Sequence, residues 1–161
     1  MRSDPVSSVL LENTRRLNKI LQESGPDGLV FSDLTSVLSE ILDCNVFICS
    51  RKGRIIGSAT PYPDSSQPFD RTNTNELRFN EKYNDDLLDY KETKANIKGE
   101  GSSGACVTIV PIRSRGGKLG TLIFECFGRD MTTDDLVLAE YSATVVGMEI
   151  MRSKTEEIEE E

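Results

Sequence analysis

Apolar positions recur at helical spacing first, at strand spacing next, and at helical spacing again at the end of the chain. In residues 9–24, VLLENTRRLNKILQES, Leu10, Leu11, Leu17, Ile20 and Leu21 form one stripe, Arg15, Arg16 and Lys19 a basic face, and Gly25-Pro26 a stop. FSDLTSVLSEILDC repeats the pattern, with Leu34, Val37, Leu38, Ile41 and Leu42 as the stripe and Ser32 as the expected N-cap. The rhythm then changes. NVFICS is a short β-rich run, and RKGRIIGSAT turns at Lys52-Gly53 into a second strand, so the two predict a β-hairpin.

Residues 60–76, TPYPDSSQPFDRTNTNE, hold three prolines among Ser, Asn, Asp and Thr, which predicts a loop long enough to carry function. Residues 77–90 predict a helix, with Phe79, Tyr83 and Leu87 on one face; KETKANIK predicts an edge strand and GEGSSG a loop. ACVTIVPIRSRGGKLGTLIFECF is the clearest hairpin, turning through Arg113 to Lys118. The last helix is expected to be capped by Thr132 or Thr133, with Asp134 and Asp135 in its first turn, where the helix dipole favours negative charge.

That helix carries apolar residues on more than one face: Leu136, Leu138, Ala139, Ala143, Val146 and Ile150, with Val137, Tyr141, Val145 and Met148 beside them. One stripe can bury on a sheet, and the surplus points to a partner subunit. RSKTEEIEEE, which follows, has Ile158 as its only large apolar residue.

The order α-α-β-β-α-β-β-β-α predicts an α+β domain, an antiparallel sheet with flanking helices. It matches the layout of GAF and PAS sensor domains, which hold a small molecule between the sheet and a mid-chain loop. With 161 residues, 37% apolar and 29% charged, the chain suits a single core. Its net charge of −8 argues against this segment alone gripping DNA. Five glutamates between Glu156 and Glu161 supply much of that charge.

The four cysteines form no C-x-x-C pair and the chain has no histidine, which excludes the usual zinc sites and Ser-His or Cys-His catalysis. The cysteines read as buried free thiols suited to a reducing cytoplasm. Asp85/Asp86 and Asp134/Asp135 diverge by about 100° on a helix and do not form a catalytic pair. No enzyme, metal or cofactor is expected. No signal peptide is expected, and no apolar run approaches the ~20 residues that span a bilayer.

Four blocks, TRRLNKILQ, NVFICSRKGRIIG, TIVPIRSRGGKLGTLIF and DDLVLAEYSATVVGMEIMRSKTEEIEEE, occur in the order found in the CodY family, and the chain resembles the ligand-binding domain of those repressors. The resemblance implies a dimeric GAF domain, cytoplasmic, that senses branched-chain amino acids (isoleucine or valine) and responds to GTP. It implies a division into residues 1–8, a frayed or added N-terminus; 9–151, the sensing domain; and 152–161, the start of a linker helix. That linker would lead to a winged helix-turn-helix absent from this chain, through which alone DNA would be bound.

The resemblance carries to particular residues. FDR implies Arg71 as the clamp on a ligand carboxylate, a role suited to a planar guanidinium. RFNEKYNDDL implies Phe79 and Tyr83 as pocket lining, with Asn80 standing where the family has proline; TKANI implies Thr93 and Ile97. SRKGR implies a triphosphate contact through Ser50, Arg51, Lys52 and Arg54, and its charge and turn amides suit an anion, although no P-loop pattern is present. Leu29, Phe31, Glu149 and Lys154 would complete a GTP site, Glu149 accepting hydrogen bonds from guanine. Residues 58–103 are shorter than the family pattern. That leaves two alternatives: a dimerisation module with a degenerate pocket, and a GAF sensor of another small molecule.

Overall fold

The computed structural model describes residues 5–23, 28–63, 65, 67–70, 72, 76–98 and 104–160, without the side chains of 5–7 and 154–160. Its elements are α1 (Pro5–Glu23), α2 (Phe31–Leu42), β1 (Asn45–Ser50), β2 (Ile55–Ala59), α3 (Glu81–Leu88), β3 (Lys94–Lys98), β4 (Ala105–Ser114), β5 (Gly117–Phe127) and α4 (Thr133–Glu160). The expected order is observed. The strands form one antiparallel sheet in the order β2-β1-β5-β4-β3.

Both faces of the sheet are covered, which is why β1 and β5 are nearly continuous buried runs rather than alternating ones. On one face α1, α2 and α4 close a large core through Leu17, Leu34, Leu38, Leu42, Leu138 and Val146 against Val46, Ile48, Leu122 and Phe124. On the other face α3 and its flanking loops cover a smaller cluster of Phe47, Cys49, Phe79, Leu87, Ile109 and Ile123. At about 25 cal/mol per Å² of buried apolar surface, each such side chain contributes roughly 1.5–3 kcal/mol.

Element boundaries differ from the sequence expectation where capping decides them. α1 begins at Pro5, inside the segment expected to fray. Proline suits a first helical turn because its missing N–H would be unbonded there anyway. α2 begins at Phe31 with Val30 at the cap position, and Ser32 is not its cap. Ser32 lies within the helix, its carbonyl accepting from the hydroxyls of Thr35 (3.0 Å) and Ser36 (2.8 Å). Nor does α3 start at residue 77. Asn80 is extended (φ −52°, ψ 140°) and its side-chain oxygen accepts from the amides of Lys82 (2.9 Å) and Tyr83 (3.2 Å), so the helix starts at Glu81.

α4 has a capping box. The Thr132 hydroxyl accepts from the amide of Asp135 at 3.2 Å, and the Asp135 carboxylate accepts from the amide of Thr132 at 2.9 Å. The helix runs 28 residues, about 42 Å at 1.5 Å per residue, and continues through residue 152. Val137, Met148 and Met151 on it are exposed. Among the described residues no helix is long and apolar enough to cross a membrane.

Candidate functional site

The face of the sheet away from α1, α2 and α4 carries an aromatic cluster. β1 directs Phe47 to this side, and the segment before α3 lays Phe69 and Phe79 over it through an isolated bridge between those two residues. Phe69 and Phe79 stack at 5.5 Å, Phe47 meets their edges at 5.6 and 6.2 Å, and Tyr83 stands edge-on to Phe79 at 5.1 Å. Such contacts are worth about 0.5–1.5 kcal/mol each beyond area burial. Phe79 is not on α3, as the spacing had implied; it is extended, its amide donating to the carbonyl of Gly53 at 2.9 Å. It still meets Tyr83 because the Asn80 cap turns the chain between them.

A polar network closes one side of the cluster. Glu125 of β5 is fully buried. Its carboxylate accepts from the amide nitrogens of Asn45 at 2.9 Å and Gln67 at 3.4 Å, and the Gln67 side-chain oxygen accepts from the Tyr83 hydroxyl at 2.8 Å. Asn45 also grips the 60–76 loop, bonding the backbone of Tyr62 at 2.8 and 3.0 Å. Burial first, then the nearby Tyr90 and the Glu125 carboxylate, push the Tyr83 phenol up, so it stays neutral and donating.

Of the expected amino-acid site, Phe79, Tyr83 and Ile97 converge on this cluster. Thr93 does not. It precedes β3 and lines a cleft of about 370 Å³ with Pro111, Arg113, Glu140 and Thr144, on the side of α4. Alternation along the edge strand does not carry it over, because β3 contains an irregularity around Asn96, whose φ is 56°. Arg71 lies outside the described residues.

The basic turn lies beside this site. Gly53, at φ 92°, takes the left-handed conformation that suits glycine, and its amide donates to the carbonyl of Ser50 at 3.0 Å. The Ser50 hydroxyl accepts from the Arg54 amide at 3.2 Å. Asn84 of α3 donates to the carbonyl of Arg51 at 3.0 Å and Arg78 to that of Lys52 at 2.7 Å. A cleft of about 470 Å³ opens here, lined by Arg51, Lys52, Arg78, Phe79, Asn84 and Asp85.

Leu29 and Glu149 meet elsewhere, at an apolar groove of about 690 Å³ that Leu21, Tyr141, Val145, Met148 and Arg152 also line. Phe31, close by in sequence, packs on Gly57 of β2, just past the basic turn. The Lys154 side chain lies outside the described residues.

Sequence reasoning passed over Asn45, Gln67, Phe69, Arg78 and Glu125. The signal for Glu125 was its phase: in TLIFECF it alternates with Ile123 and so shares that residue's inward side, where an acid is unusual.

Residues 9–161 match the family described as the CodY GAF-like domain. The chain belongs to the CodY family. It is 45% identical over 168 residues to the global transcriptional regulator CodY of Clostridium kluyveri, and 46% identical over 165 to that of Clostridium tetani. In each case the match covers 96% of this chain and 64% of the relative, so the chain spans about two thirds of their length or slightly less. The solved cofactor-binding GAF domain of the nutrient sensor CodY from Clostridium difficile is similar at a TM-score of 0.68 and 37% identity, over 93% of this chain and 99% of that one. The GAF domain of an Acinetobacter phosphoenolpyruvate-protein phosphotransferase, at 12% identity and a TM-score of 0.63, shares the fold. The CodY domain here is thus an α+β GAF domain, and the Clostridium kluyveri and Clostridium tetani relatives are named as transcriptional regulators.

Proposed function

We propose that this CodY domain is the effector-sensing and dimerising part of a nutrient-responsive, cytoplasmic transcriptional repressor. It binds isoleucine or valine and responds to GTP. DNA binding falls to a winged helix-turn-helix domain of the regulator and not to this GAF domain. The observation that carries the reading is the convergence of Phe47, Phe69, Phe79 and Tyr83 on the sheet face opposite the three packed helices. An aliphatic side chain calls for such an apolar socket with a few polar groups at its rim.

In this reading Phe79, Tyr83 and Ile97 line the socket and Arg71 clamps the ligand carboxylate. Ser50, Arg51, Lys52 and Arg54 take the phosphates of GTP, with Arg78 added at their side. Leu29, Phe31, Glu149 and Lys154 take the base. The exposed Val137 and Met148 on α4 belong to the dimer surface. A dimerisation module with a degenerate pocket is the second reading, favoured by the stacking of Phe69 on Phe79, which fills part of the socket with the chain's own rings. A thermal-shift panel separates them. Isoleucine, valine and GTP are expected to raise the melting temperature, whereas alanine and ATP leave it unchanged. A flat response to all of them favours the module, and a shift with a different metabolite favours a retuned sensor.

A further inference from the structure

Four side chains from four segments form one directed chain of hydrogen bonds that ends at the aromatic cluster. Asn45 starts it, Glu125 and Gln67 carry it on, and Tyr83 ends it. Asn45, Glu125 and Gln67 are buried and Tyr83 is half-buried. The links have a fixed polarity, because a backbone N–H can only donate and a carboxylate can only accept.

The direction is set at Asn45. The Tyr62 backbone N–H donates to the Asn45 side-chain oxygen at 3.0 Å. The Asn45 nitrogen is thereby left to donate, at 2.8 Å to the Tyr62 carbonyl and at 2.9 Å to Oε1 of Glu125. The other carboxylate oxygen, Oε2, accepts from the Gln67 amide nitrogen at 3.4 Å. That leaves the Gln67 oxygen to face Tyr83, whose hydroxyl donates to it at 2.8 Å. The single phenol proton is then committed, and burial above all keeps it on the oxygen. To any further group Tyr83 offers lone pairs alone. Tyr83 also meets Phe79 edge-on at 5.1 Å, which puts this acceptor at the rim of the aromatic socket.

An amino acid held whole needs an acceptor for its ammonium as well as a cation for its carboxylate. We infer that the Tyr83 oxygen takes the ligand ammonium, and that Glu125, acting through Gln67, is the positioning residue that keeps Tyr83 an acceptor. The inference rests on the amino-acid reading of the socket. It gives the buried carboxylate a part in specificity without contact with the ligand.

One isosteric change reverses the relay. In Glu125→Gln the oxygen of the new amide still accepts from Asn45, so its nitrogen faces Gln67. Gln67 then turns its oxygen toward position 125 and its nitrogen toward Tyr83. Tyr83 accepts, and its proton is released to the socket. A socket of that polarity suits a carbonyl oxygen, not an ammonium.

The test compares isoleucine with the α-keto acid of the same carbon skeleton by calorimetry, in the whole wild-type chain and in Glu125→Gln. The two compounds share a carboxylate and a side chain and differ only where Tyr83 acts. Wild type is expected to prefer isoleucine by roughly tenfold or more, as a hydrogen bond to a charged group implies. Glu125→Gln is expected to lose or invert that preference. In ligand-free protein the infrared C–O stretch of Tyr83, identified by its absence in Tyr83→Phe, should move from the donor to the acceptor position. Gln67→Met breaks the relay in a loop rather than in the sheet, and should reduce the preference without inverting it. A wild-type ratio in Glu125→Gln, or an unmoved Tyr83 band, would overturn the inference; a wild-type ratio in Gln67→Met does so even if Glu125→Gln does not fold. If the band moves but wild type binds neither compound, the sensor reading falls and the ammonium role with it, while the relay stands.

Discussion

The Glu149 carboxylate accepts a hydrogen bond from the backbone N–H of Leu29 at 3.2 Å, tying the α1–α2 connection to the later turns of α4. Arg152, one turn on, pairs with the same carboxylate at 3.1 Å through Nε. Gly28 just before has φ 90°, and a Cβ there would collide with both the Glu149 and Arg152 side chains. The chain therefore passes α4 at backbone distance.

Stability should follow the ionisation of Glu149. Its carboxyl is held below the usual range, first by the hydrogen bond from Arg152 and then by the amide of Leu29, with burial opposing. Its folded value is the lower one, so this contribution is complete above the unfolded value of about 4.3 and is lost as pH falls through the folded value. Glu149→Gln is expected to lower the melting temperature at neutral pH, with the gap to wild type narrowing below about pH 4. Thermal circular dichroism across the pH range measures this.

Asn80 is the cap that sets where α3 begins, and Asn80→Ala should cost about 1 kcal/mol. Asn80→Asp should recover most of it, since a carboxylate oxygen accepts from the same amides. Urea denaturation midpoints read both variants.

Asn84 is buried, and its side chain fixes the basic turn to α3 through the Arg51 carbonyl. Asn84→Ala should destabilise the domain by about 1–3 kcal/mol. The turn should also loosen locally. Limited trypsin digestion is expected to cut after Arg51 or Lys52 faster in the variant than in wild type.

Phe79 is nearly fully buried in the aromatic cluster, and Phe79→Ala should cost about 3–5 kcal/mol. Phe79→Leu keeps much of the volume and should cost less while still removing the stack on Phe69. If the socket reading holds, Phe79→Leu remains folded and binds isoleucine at least several-fold more weakly, as calorimetry would show.

The element order was legible because helical and strand periods change cleanly along the chain, and the hairpin at residues 105–127 follows from its apolar runs and glycine turn. Boundaries were less legible because they depend on single caps. Ser32 has the right chemistry but lies inside α2, and Asn80 was read as a missing proline rather than as a cap. Phe79 and Tyr83 were placed together for a helical reason, whereas a bridge to Phe69 and a turn bring them together. Thr93 and Ile97, expected to act together, line different parts of the molecule, because the irregularity at Asn96 breaks strand alternation between them. The Asn45–Glu125–Gln67–Tyr83 network joins four distant segments, and local periodicity carries no information on such partners. Only the phase of Glu125 hinted at it.

Sensing is tested most directly by calorimetric titration of isoleucine into the folded chain, with Arg71→Ala in parallel. The account predicts a saturable heat with one isoleucine per chain, a similar heat with valine, and loss of both in the variant. No heat from either amino acid in folded wild-type protein, or binding unaffected by Arg71→Ala, would contradict it.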